Sequence, residues 1–125
     1  MGIMGNMRIL YIDDEPNNRM LVKRILMVEG YDVQEASNAR DGIEMALADP
    51  PALILMDISM PEIDGLTATR RIRELPSLAT TPVVALTALA MAGDREMILQ
   101  AGCDGYISKP INIDTFVDDV KQYLK

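Results

Sequence analysis

The 125-residue sequence predicts a single doubly wound α/β domain built on a parallel sheet. Three observations lead there. Apolar β-type runs recur five times, segments of helical period separate them, and two runs, ALILM and VVAL, are apolar on both faces. Strands separated by helices pair in parallel through right-handed crossovers. Strands apolar on both faces belong in a sheet that is covered on both sides. The length suits one core, and no linker, low-complexity tract or internal repeat divides the chain.

The strands are expected at Arg8–Ile12, Asp32–Ala36, Ala52–Met56, Pro82–Leu86 and Gly105–Ser108. Glu15-Pro16 announces the first helix, because proline suits the first helical position. Leu21, Val22, Ile25 and Val28 share one face of it, and Gly30 ends it. The second helix takes Ser37 or Asn38 as its N-cap and buries Ile43, Met45 or Ala46, and Leu47, before Pro50-Pro51 stops it. The third follows Gly65, with Leu66, Ala68 and Ile72 inward and Arg70, Arg71 and Arg73 in water. The fourth covers roughly Ala92–Ala101, interrupted by Gly93. The last runs from Ile113, capped by Asn112, with Ile113, Phe116, Val117, Val120 and Leu124 inward. The first six residues, MGIMGN, are expected to be loosely ordered, so that the domain spans 7–125.

Composition excludes several functions. A net charge of −7 argues against wrapping a nucleic-acid backbone, which needs a basic face. With no histidine and the single Cys103, neither a zinc site nor an internal disulfide is expected. Cys103 reads as a small packed residue, and its solitude fits a reducing cytoplasm. No apolar run is long enough to span a bilayer, and no signal-peptide pattern opens the chain.

Open parallel sheets gather functional residues at the carboxyl ends of their strands. Here those ends carry Asp13-Asp14-Glu15, Asp57, Thr87-Ala88 and Lys109-Pro110. Each alone has an ordinary reading: a turn residue, a helix cap, a solvated lysine. Together they describe a site. Two unit charges 5 Å apart repel by about 3 kcal/mol at an effective dielectric near 20, so converging aspartates need a raised pKa or a cation. An all-oxygen pocket without histidine or cysteine suits Mg²⁺. Lys109 adds a fixed positive charge and Thr87 a hydroxyl. This set has the parts for phosphoryl transfer onto Asp57, which the buried run Ala52–Met56 delivers to the rim.

The motifs ILYIDDEP, LILMDISMPEIDG, VVALTA and GYISKP, in that order, closely resemble the receiver domain of two-component response regulators over Met7 to Leu124. The resemblance implies a flavodoxin-like (CheY-like) five-stranded sheet of order 2-1-3-4-5 with five helices. It implies Asp57 as phosphoacceptor and Asp14 as direct ligand of Mg²⁺ (or Mn²⁺), with Asp13 engaged through water. The Ser59 backbone carbonyl would be a further ligand. Thr87 and Tyr106 would be the switch residues, Lys109 the partner of the phosphoryl group, and Lys109–Pro110 a cis peptide. Ala88 matches the small residue that leaves the site open.

The implied function is a phosphorylation-dependent switch, not an enzyme beyond self-phosphorylation and autodephosphorylation. Its partners would be a histidine kinase or histidine phosphotransfer protein and a downstream protein, met through the surface of the fourth helix, fifth strand and fifth helix. An apolar Leu89 gives no help to an attacking water, so exceptional autohydrolysis is not expected. The run from Thr87 to Asp94 resembles single-domain cell-cycle regulators and the receivers of hybrid sensor kinases. With no output domain after Lys125, a stand-alone receiver and an excised piece of a longer protein are both open. Two rivals differ in class. An aspartyl-phosphate hydrolase needs an acid two residues past its nucleophile, where this chain has Ser59. An unphosphorylated interaction module would hold the cation only.

Overall fold

The computed structural model describes residues 7–88 and 92–124. Strands β1 (Arg8–Ile12), β2 (Asp32–Ala36), β3 (Leu53–Asp57), β4 (Val83–Thr87) and β5 (Gly105–Ser108) alternate with helices α1 (Pro16–Val28), α2 (Ala39–Ala48), α3 (Gly65–Arg73), α4 (Ala92–Gln100) and α5 (Ile113–Lys121). The sheet is parallel throughout, in the order β2-β1-β3-β4-β5. That order places β1 beside β3 and puts a crevice at their carboxyl ends, where chain connections depart in opposite directions.

Every residue of β3 and β4 is buried, as strands apolar on both faces require. Alternation sends their side chains into two cores. One gathers Leu10, Ile12, Ile54 and Met56 with Ala46 of α2, Ala68 and Ile72 of α3 and Ile98 of α4. The other gathers Ile9, Tyr11, Leu55 and Leu86 with Val22 and Leu26 of α1 and Phe116 and Val120 of α5. β3 and β4 run one residue further than their apolar runs indicate. Asp57 and Thr87 are therefore terminal strand residues, held in the ladder opposite Leu86 and Ser108.

The helix ends follow local chemistry. Pro16 opens α1, with the Glu15 side chain accepting from the Asn17 amide. Asn38 caps α2, Asp64 caps α3 and Asn112 caps α5. Gly30 takes φ +94° just after α1, a conformation that favours glycine. α4 runs through Gly93 without a break.

Three side chains expected inward, and one expected in water, are placed differently. Val28 is 80% exposed, because the buried stripe of α1 passes through Val22 and Leu26 and position 28 lies about 200° around the helix from Leu26. Leu47 is 43% exposed and lines the groove between α2 and α3. Ile113 is 62% exposed, being the first residue of α5, before the helix reaches the sheet. Arg73 is not in water. Its guanidinium reaches the carbonyls of Gly102 (2.9 Å) and Thr81 (2.6 Å), and pairs with Asp104 at 3.0 Å. The flexible stem lets a residue on the polar side of α3 fold back over the amino ends of β4 and β5. Leu89 and the first six residues lie outside the described residues.

Candidate functional site

The carboxyl ends of β1 and β3 bring three acids together. Asp13, Asp14 and Asp57 each offer an oxygen, and these oxygens lie within 4.8 Å of one another. Asp13 and Asp57 are buried and Asp14 is exposed. A buried carboxylate needs donors, and the end of β5, beyond β4, supplies one: Lys109 Nζ lies 2.8 Å from Oδ1 of Asp57 and 3.5 Å from Oδ2 of Asp13. Lys109 follows β5 directly, and its own amide donates to the Thr87 carbonyl at 2.8 Å. Thr87, 2% exposed, ends β4, and the Lys109–Pro110 peptide is cis.

The electrostatics follow from burial. Desolvation pushes the Asp57 carboxyl above its ordinary value of 3.8, and the nearby Asp13 adds to the rise, although the Lys109 and Ser59 N–H donors pull the other way. For Lys109, burial favours the neutral amine, but Asp57 and Asp13 outweigh it and hold the ammonium above its ordinary 10.5. The site is thus a charged pair with acid in excess. Its donors are oxygens only, which fits a hard divalent cation such as Mg²⁺ better than a soft metal.

The loop after β3 is fixed by a close approach. The Gly65 amide donates to the Ile58 carbonyl at 3.0 Å. A Cβ at position 65 would stand 2.3 Å from the Asp57 carbonyl oxygen, so only glycine fits there. Glu62, in the same loop, has φ +66°.

Tyr106 is half-buried on β5 and turns toward α4. Its hydroxyl accepts from Arg95 Nη2 at 3.0 Å, and the Arg95 guanidinium stands 5.6 Å from the ring centre. Cys103 is buried, its thiol pushed up by desolvation and placed 3.7 Å from the Thr69 hydroxyl, as a packed residue should be.

Tyr11, Asn18 and Arg19, and the part played by the Glu15 amide, escaped the sequence reading. The Tyr11 hydroxyl donates to Oδ2 of Asp13, the Glu15 amide donates to Oδ1 at 2.9 Å, and Asn18 Nδ2 lies 3.4 Å from Oδ2. Arg19 Nη1 donates to the Asp13 carbonyl at 2.7 Å and pairs through Nε with Glu35 at 3.1 Å. The signal for Tyr11 was present. It lies two residues before Asp13, so strand periodicity puts both on one face.

A five-stranded sheet of this order, with acids and a lysine converging at the switch point, defines a receiver-type α/β module. The chain belongs to the response regulator receiver domain family, which matches residues 9–121. It is 38% identical to the polar-differentiation response regulator DivK of Brucella anthropi, over 93% of this chain and 94% of that one. The receiver domain of the sensor histidine kinase PA1611 from Pseudomonas aeruginosa is 33% identical, with a TM-score of 0.86 over 94% of this chain and 97% of that one. A magnesium ion is coordinated in that protein's active-site cleft. Chemotaxis protein CheY4 of Vibrio cholerae, 24% identical, shares the fold at a TM-score of 0.91 over 95% of this chain and 99% of that one. No helix among the described residues is long and apolar enough to cross a membrane.

Proposed function

We propose that residues 7–125 form a phosphorylation-dependent switch of a cytoplasmic phosphorelay, with Asp57 as phosphoacceptor. The observation that carries this is the Lys109–Asp57 pair at 2.8 Å inside a three-carboxylate rim. Asp13, Asp14, Asp57 and the Ser59 carbonyl would hold Mg²⁺ or Mn²⁺. When bound, the cation neutralises the acids and the charge of an incoming phosphoryl group.

The remaining work falls to this chain's own groups. β3 holds Asp57 rigidly at the rim, with an oxygen directed at Lys109. That oxygen attacks the phosphorus of a phosphohistidine on a histidine kinase or phosphotransfer protein. A P–O bond forms, the P–N bond breaks, and the imidazole takes the electron pair and leaves. The product is a mixed anhydride on Asp57. Lys109 moves from the carboxylate to a phosphoryl oxygen, and the Thr87 hydroxyl takes another. Drawing Thr87 inward changes the packing available to Tyr106, which trades its bond to Arg95 for a new position. The surface of α4, β5 and α5 then alters its affinity for a downstream protein, as a population shift between two states.

Incubation with acetyl phosphate and Mg²⁺ tests this. The intact protein should gain the mass of one phosphoryl group, lost on Asp57→Ala. An unchanged mass in the wild type, or a gain that survives the substitution, would overturn the reading.

A further inference from the structure

One buried group at this rim has no part in the chemistry above. Tyr11 is fully buried in β1, and its hydroxyl donates to Oδ2 of Asp13. We propose that Tyr11 is a positioning residue for the cation site: its hydroxyl satisfies Oδ2 of Asp13 and thereby keeps Lys109 on Asp57. This rests on the reading of the rim as a Mg²⁺ site.

The donor arrangement around Asp13 carries the argument. Asp13 is itself fully buried. Its Oδ1 accepts from the Glu15 amide at 2.9 Å. Among the described residues its Oδ2 has Tyr11, then only Asn18 at 3.4 Å and Lys109 at 3.5 Å, both long for hydrogen bonds. Without the hydroxyl, a buried charged oxygen keeps two poor contacts, which is costly. The donor best able to close the gap is Lys109, with three N–H bonds on a flexible stem. Closing on Asp13 draws it away from Asp57, where it now sits at 2.8 Å. An ammonium seated on Asp13 then competes with the divalent cation for that carboxylate. The hydroxyl also disperses part of the Asp13 charge, an effect of opposite sign. Outer-shell donors nonetheless favour metal binding in net, their loss typically weakening affinity by about 10- to 100-fold. The Tyr11 ring, packed in one core with Leu55 and Leu86, makes the donor rigid.

Calorimetric titration of the full chain with MgCl₂ tests the proposal. Tyr11→Phe keeps the ring and should weaken Mg²⁺ binding about tenfold. Tyr31→Phe, a hydroxyl loss away from the rim, should match the wild type. In a Lys109→Ala background the Tyr11→Phe loss should shrink to less than about twofold, because no ammonium remains to compete. The chain has no tryptophan, so saturating Mg²⁺ should also give a near-ultraviolet difference spectrum from tyrosine that Tyr11→Phe lacks. Equal affinities, a loss that persists undiminished without Lys109, or a difference spectrum that survives in Tyr11→Phe would each overturn the role of Tyr11. A wild type without saturable Mg²⁺ binding would overturn the metal site itself, and the proposal with it.

Discussion

Asp57 is a charged side chain kept where charge is unwelcome, and its titration should report that. Its carboxyl is held above the ordinary 3.8, so the folded state binds a proton more readily than the unfolded chain does. Stability of the metal-free protein should therefore fall as pH rises from about 4 through the raised folded value. Urea unfolding in EDTA across that window should show the fall in the wild type and its reduction in Asp57→Asn. The Lys109 contribution behaves differently: its raised value keeps it in place until pH passes above 10.5. At this scale the site was largely legible, because a strand-end rule turns four distant positions into one rim. Tyr11 was not, since an aromatic residue within an apolar strand reads first as core. Arg73 was misjudged because helical period locates a Cα, whereas a long, flexible side chain can reach the far side of it.

The loop between β3 and α3 shows how an element's geometry fixes a residue's. Gly65 opens α3 while its amide closes the loop onto Ile58, directly beneath the Asp57 carbonyl. Gly65→Ala should force that backbone apart and cost about 2 kcal/mol in chemical unfolding. It should also slow phosphorylation by acetyl phosphate, since the acceptor strand would shift. Strand and helix positions were legible from apolar period and from caps such as Asn38 and Asn112. Strand ends were legible to within a residue: Asp57 and Thr87 are polar, and only the ladder shows that they still pair. The inner faces of helices were less legible at their ends, as Val28 and Ile113 show, because period says which residues align but not where the sheet stops.

In the molecule as a whole, the two ends of the sheet are built differently. The carboxyl end gathers three carboxylates around Lys109. The amino end is tied by Arg73, which donates to the carbonyls of Leu78, Ala79, Thr81 and Gly102 and pairs with Asp104. Asp104 in turn accepts from the Val83 amide at 2.8 Å, so one guanidinium links α3, the turn before β4 and the entry to β5. Arg73→Ala should cost about 3 kcal/mol in urea unfolding, and Arg73→Lys should recover little, because an ammonium cannot reach in three directions at once. The tie also bears on where the chain tolerates change. The stretch between α3 and β4 looks like a connection that could be lengthened or exchanged freely. Three of its carbonyls are spoken for by one side chain, so inserted residues there would unfasten the base of two strands. Grafting and domain insertion are better directed to the surface turns that Arg73 does not hold.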